Sequence, residues 1–359
     1  MKVSEGRFSM LRAAIRAERL RWIELWEKGP DWEVFAHPDY VSLFARSCDR
    51  VVCAVLQAEQ GCVMFPLIVR PIATERWAAT DGCLCDAASP YGYGGPFAWG
   101  CSRADAPAFW MGLTEWARQE AVVCLFARLS LFADQLIPFE GTVRNNAPNV
   151  VRWLDIDEDK LWREYEHKVR KNVNRAILSG LTVEQDEEGR RLTEFLEIYH
   201  GTMDRRGAKE GYYFPREFFE RICTNLNGQF MFFHALSGDT VVSTELVLVS
   251  RQHIYSFLGG TRAEAFQMRP NDLLKHEVIL WGRRQGKRAY VLGGGYGGED
   301  GIYRYKLSFA PKGEVPFCTG QIIFDEKAYE RLKNARAAWE RRAGGDWSSA
   351  PGFFPEYRG

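Results

Sequence analysis

The sequence predicts a two-domain α/β protein with mixed β-sheets flanked by helices. Three observations carry this. The chain has 359 residues, of which 46% are hydrophobic, with 12 Trp and 23 Phe, enough for two packed cores. Short β-branched and aromatic runs alternate with helical patterns, as expected for sheets covered by helices. The same order of elements recurs at a spacing of roughly 180 residues, which suggests a duplicated unit.

Phe8, Leu11, Ile15, Trp22, Leu25 and Trp26 fall at roughly helical spacing, and Gly29-Pro30 ends the pattern. This predicts an N-terminal helix within 1–30. Residues 51–56, a turn at Gly61 and residues 62–69 read as a hairpin. Gly94-Gly95, a helical pattern over 106–120 and a short apolar strand over 122–127 follow. The first domain is expected to span 31–155, ending in a polar, Pro-containing link (144–149). Asp157 or Asp159 then caps a helix with Leu161, Trp162, Tyr165, Val169, Val173 and Ile177 on one side, stopped by Gly180. A third helix is expected over 191–206, and a fourth from Pro215 to Leu226. The hairpin pattern returns over 230–235 and 241–249, around a turn at Gly238-Asp239. Gly259-Gly260, a helix over 272–284 and a strand over 289–292 repeat the first half. The second domain is expected over 156–330. Residues 331–359, with Gly344-Gly345 and Ser348-Ser349, read as a frayed tail.

Composition narrows the function. The net charge is zero, so any nucleic-acid contact must use a local patch. Cys83 and Cys85 are the one close pair among nine cysteines, and CxxC is absent. That argues against a zinc ribbon or disulfide framework and for a reducing compartment. The six histidines form no HxxxH or HExxH, so no metal centre is expected. No run approaches the about 18 apolar residues of a spanning helix, and the N-terminus lacks an apolar signal core. A cytoplasmic protein is expected, with association at the cytoplasmic membrane face left open. GxSxG and Walker A motifs are missing. An amine acceptor would need no covalent intermediate, because it is already a nucleophile once deprotonated.

The candidate site centres on GGGYGGEDGIYRYKLSF, residues 293–309. Gly293, Gly294 and Gly295 let backbone approach a ligand. Gly293, Gly295 and Gly298 fit GxGxxG, but a dinucleotide site needs a helix to open there, and the following residues do not read as one. Tyr303, Tyr305 and Lys306 fit an ordinary short strand. They also fit acyl transfer, where a cation meets the tetrahedral oxyanion and an aromatic stacks on a base or ribose. Tyr91 and Tyr93 lie in SPYGYGGP, either a tight turn or a platform for a polar small molecule, and Asp81 and Asp86 upstream could hold an amine. Lys168, Lys171 and Arg175 form an i, i+3, i+7 stripe with Arg170 beside it, either a solvated helix face or a phosphate-contacting one. Arg205-Arg206 either complement a helix C-terminus or clamp an anion.

Several of these stretches together resemble the Fem-type aminoacyltransferases, a branch of the GNAT acyltransferase superfamily. They are WIELWEKGPDWEVFAHPDYVSLF (22–44), SPYGYGGP (89–96), HKVRKNVNRAILSGLTVE (167–184), YHGTMDRRG (199–207), MRPNDLLKHEVILWGRRQGKRAYVLGG (268–294) and the Tyr305-Lys306 step. The resemblance implies two tandem GNAT-like domains and no cofactor. It implies an aminoacyl-tRNA donor and an amine acceptor, typically on a peptidoglycan precursor. By it, Lys306 would neutralise the transferring carbonyl and Tyr305 would sit near the tRNA 3′ end. Arg206 (or Arg205), Tyr91 and Tyr93 would lie toward an acceptor cleft. On the residues themselves, Lys168, Arg170, Lys171, Arg175, Tyr303 and the three glycines are expected to face the donor, and Asp81, Arg205 and Arg206 the acceptor. There are departures. Nothing within 180–228 is long enough for the helical arm of some members, and Tyr replaces the usual Phe before the lysine. The helix starting at Met268-Arg269-Pro270-Asn271-Asp272 lacks the glycine turn with which acyl-CoA enzymes hold pyrophosphate. An acyl-CoA-dependent N-acyltransferase and a non-catalytic tRNA or envelope-assembly binding protein are the alternatives.

Overall fold

The computed structural model describes all residues except 1–6, 79–81, 102–104, 297–299 and 346. It divides into two compact units, residues 1–146 with 317–359, and residues 147–316.

The first unit contains β1 (Arg7–Arg12), α1 (Arg16–Lys28), α2 (Pro38–Ser42), β2 (Arg50–Gln57), β3 (Cys62–Pro71), β4 (Cys85–Ala88), β5 (Phe97–Trp99), α3 (Asp105–Gln119) and β6 (Val122–Arg128). The chain leaves it within β7 (Thr142–Trp153). The expected N-terminal helix is corrected at its start. Residues 7–12 form a strand antiparallel to β2, with Phe8 opposite Leu56 and Met10 opposite Ala54. Alternation decides this: Phe8 and Met10 join one core and Leu11 the other. β2 is read the same way. Val52, Ala54 and Leu56 pack with Phe109 and Leu113 of α3, while Cys53 and Val55 pack with Trp22 and Trp26 of α1. Because both faces are covered, the strand reads as an unbroken apolar run.

The second unit contains α4 (Glu158–Glu164), α5 (His167–Leu178), β8 (Leu181–Asp186), α6 (Leu192–Arg206), α7 (Arg216–Asn225), β9 (Phe230–Ser237), β10 (Thr240–Val249), β11 (His253–Thr261), α8 (Pro270–Arg284), β12 (Ala289–Gly293) and α9 (Gly301–Leu307). The single helix expected after Asp157 is two. Asp157 caps α4 by accepting from the Lys160 amide at 2.7 Å, and Tyr165 breaks the run with an extended ψ of 146°. The Arg170 guanidinium fixes the break by donating to the carbonyls of Arg163 and Tyr165. Phe233 packs with Trp281 of α8, whereas its neighbour Phe232 packs with Phe195 of α6. α8 and α6 therefore cover opposite faces of this sheet.

β13 (Glu314–Ile323) and α10 (Glu326–Arg342) return the chain to the first unit. The strands of the two units repeat one order. In the first unit it is β1-β2-β3-β4-β6-β13, with β5 added to β3; in the second it is β8-β9-β10-β11-β12-β7. Each has one parallel pair bridged by a helix, β4/β6 by α3 and β11/β12 by α8. The frayed tail is also corrected. α10 packs Tyr329 and Leu332 against Val123 and Cys124, and Tyr357 is fully buried beside them. Among the described residues, no helix is long and apolar enough to cross a membrane.

Candidate functional site

The site in the second unit is built where β12 ends. Gly293 turns the chain with φ +83°, a left-handed conformation that glycine adopts without a Cβ penalty. Asp300 then pins both sides of the glycine segment. Its Oδ2 accepts from the Tyr296 amide at 2.8 Å, and its Oδ1 accepts from the amides of Ile302 and Tyr303 at 2.8 and 2.9 Å. That second pair is an N-cap, so α9 opens where the sequence was read as a strand. The ground on which GxGxxG was set aside is corrected accordingly. The opening helix has seven residues, and the third glycine of the fit, Gly298, lies with Gly297 and Glu299 outside the described residues.

The α9 geometry sorts the aromatic-lysine step. Tyr303 points into the core at 2% exposure, which corrects its reading as a donor-facing ring. Tyr305 packs edge-on against Phe309 at 5.3 Å, and its hydroxyl accepts from Asn271 Nδ2 at 2.8 Å. Lys306 is half-buried, and its Nζ donates to the Gly294 carbonyl at 2.7 Å. Burial, then the nearby charge of Lys275, pull the Lys306 ammonium down to about 8, against the opposing pull of Glu245 and Asp300.

Sequence reading missed the groups behind this step. Lys275, on α8 one turn beyond Asn271, is 6% exposed. Its ammonium donates to Glu245 Oε1 at 2.5 Å, Ser256 Oγ at 2.7 Å and Tyr290 Oη at 3.1 Å. The Tyr290 hydroxyl donates to the same Glu245 oxygen. Asp272, also buried, accepts from Asn172 of α5 at 3.1 Å, and burial holds its carboxyl above the usual range. The signal was there to find. Glu245 is the one charged residue in VVSTELVLV, and Lys275 sits in the apolar stripe of LLKHEVI.

Residues 163–307 match a family model described as an acetyltransferase (GNAT) domain. Over those residues the second unit is similar to a GNAT acetyltransferase domain. Lys306, Tyr305 and the Lys275–Glu245 pair all fall within the matched range. FemX, in crystal form, shares the fold over 87% of this chain and 98% of its own, at 13% identity and TM-score 0.66. The C-terminal DUF2156 domain of a candidate lysylphosphatidylglycerol synthetase from Agrobacterium fabrum covers 90% of this chain and 95% of its own, at 15% identity and TM-score 0.54. L-PGS from Bacillus licheniformis covers 91% and 97%, at 12% and 0.53. No curated protein matches by sequence. The expected architecture of tandem GNAT-like α/β units, with the Fem-type resemblance at the level of fold, is therefore borne out, and the chain is an acyltransferase of that fold.

The other expected residues are scattered. In the GNAT unit, Lys168, Lys171 and Arg175 are exposed on α5, while Arg170 is spent on the α4–α5 break. Arg205 ties the end of α6 to the Thr261 carbonyl at 3.0 Å and lies over the Phe266 ring, so it is no free clamp; Arg206 is exposed. Gly295 lies in the half-buried turn after Gly294. In the first unit, Tyr91 is 43% exposed and its carbonyl accepts from the Tyr40 hydroxyl at 2.9 Å. Tyr93 packs edge-on against Phe35 at 5.5 Å and Phe317 at 5.8 Å. Between them Gly92 has φ +105°, and a Cβ there would meet the Phe35 ring at 2.4 Å, so the loop is a packed turn with one tyrosine outward. Asp81 lies outside the described residues. Asp86 is buried and bound to Arg70 at 2.6 Å and Arg358 at 2.5 Å, a structural use rather than an amine site.

Proposed function

We propose that this chain transfers an aminoacyl group from aminoacyl-tRNA to the amine of a small or peptide acceptor of the peptidoglycan-precursor kind. The observation that carries the reading is the Lys306 ammonium, half-buried at a glycine turn and poised at about 8. In the reaction the neutral acceptor amine attacks the ester carbonyl, forming the C–N bond and an oxyanion. The oxyanion collapses, the C–O bond to the ribose breaks, and the amine's proton ends on the departing ribose oxygen. An ammonium has three N–H donors, of which Gly294 takes one. Another is available to the oxyanion, where water exclusion strengthens it. The exposed cations Lys168, Lys171 and Arg175 give a neutral protein the local patch that tRNA phosphates require. The shared fold with FemX and with a lysylphosphatidylglycerol synthetase candidate supports an aminoacyl donor.

A second reading, an acyl-CoA donor, is favoured by the family model's own description as an acetyltransferase domain. Against it, α8 opens with Arg269 at φ +62° followed by Pro270, with no glycine turn to hold a pyrophosphate. Bulk tRNA charged with labelled amino acids, incubated with the protein and a cell-extract pool of amines, separates the two. RNase-sensitive label in small product supports the tRNA reading. Transfer from an acyl-CoA panel, with none from tRNA, replaces it by the second.

A further inference from the structure

Glu245 is a charged group of this site that the transfer chemistry above leaves unused. It lies in β10 at 3% exposure. Its Oε1 takes both Lys275 and Tyr290, but its Oε2 is buried with no hydrogen-bond partner among the described residues. Lys275 cannot supply it, because all three ammonium donors are already spent on Glu245 Oε1, Ser256 and Tyr290. That oxygen keeps acceptor capacity for one further donor, and a charge-assisted hydrogen bond to a buried carboxylate is among the stronger ones.

The position says which donor. Asn271 and Lys275 are one turn apart on the same face of α8. Asn271 holds Tyr305 and Lys275 holds Glu245, so this carboxylate stands along one helix face with the Tyr305-Lys306 step. The charge of Glu245 acts on both Lys306 and Tyr305. An aminoacyl ester differs from a plain acyl ester by one group, the α-ammonium two bonds from the carbonyl carbon. We propose that Glu245 Oε2 binds the free α-ammonium of the donor's aminoacyl group and so selects aminoacyl over plain acyl donors. The proposal rests on the aminoacyl-tRNA reading above. Lys306 and Glu245 would then grip the two ends of the same small group, oxygen and nitrogen.

The test compares bulk tRNA carrying labelled amino acids with the same tRNA carrying the corresponding deamino acyl groups, which lack the α-nitrogen, under single-turnover conditions with the amine pool. The wild-type protein should transfer the aminoacyl form about 10- to 100-fold faster, the worth of one hydrogen bond to a charged group. Glu245→Gln should erase that preference. Where Glu245→Gln fails to fold, binding by the wild-type protein decides instead: a terminal adenosine bearing an amide-linked amino acid should bind at least about tenfold tighter than its deamino counterpart. Equal rates and equal binding for both forms overturn the proposal alone. No transfer from either tRNA overturns the tRNA reading and the proposal with it.

Discussion

Lys306 must be charged to meet an oxyanion, and the acceptor amine must be neutral to attack. These demands oppose each other in pH. The rate should rise with pH as the acceptor loses its proton, then fall as Lys306 loses its own through about 8. Burial first sets the falling limb; Lys275 on α8 lowers it further, and Glu245 on β10 with Asp300 raise it. A pH–rate profile of transfer should therefore bend downward near 8, and a profile flat to pH 10 would contradict the role. Lys306 itself was legible, because a lysine after a glycine run and two aromatics is an unusual local pattern. Tyr303 was not, since a ring two residues from another reads equally as strand alternation or as the inner face of a short helix. The Asp300 cap decides that, and capping by one aspartate is a local geometry that sequence pattern expresses weakly.

At the scale of elements, α9 and α8 hold the site, and each depends on a single polar group. Asp300→Ala removes the cap of α9 and the anchor of Tyr296 together. It should cost about 1 kcal/mol in chemical denaturation, and it should lower transfer more than its stability loss explains. Lys275→Met leaves Glu245 buried without its cation, so it should destabilise the fold by about 3–5 kcal/mol. In whatever fraction folds, the loss of a nearby positive charge should move the falling pH limb upward. The hairpins, the helices over α3, α6 and α8 and the closing strands were readable because each is a sustained period. The start of the chain misled, since six residues of strand β1 happen to continue the spacing of α1. The α4–α5 break was invisible, because it is held by Arg170 reaching back to two carbonyls. The C-terminal segment read as frayed for its small and polar residues, yet Tyr357 and Arg358 anchor it on Asp86 at 3.2 and 2.5 Å.

For the molecule as a whole, the repeated strand order explains why two halves with little side-by-side identity showed the same rhythm. A hairpin, a strand, a crossing helix and a parallel strand require the same periods whatever residues fill them. The buried charges of the site followed no such rule, since they come from three separate elements that only the fold brings together. In a molecule of zero net charge, the proposed tRNA contact rests on the exposed cations of α5. Reversing Lys168, Lys171 and Arg175 to Glu should weaken tRNA binding at least about tenfold and flatten its salt dependence. Unchanged binding in a filter or gel-shift assay would remove that helix from the interface. The central claim is that Lys306 stabilises the transition state of aminoacyl transfer. It is tested most directly by one single-turnover measurement with labelled aminoacyl-tRNA, on wild-type protein and on Lys306→Ala of equal stability and equal tRNA affinity. The account predicts transfer slower by about 10²- to 10³-fold in the variant, and transfer at the wild-type rate would contradict it.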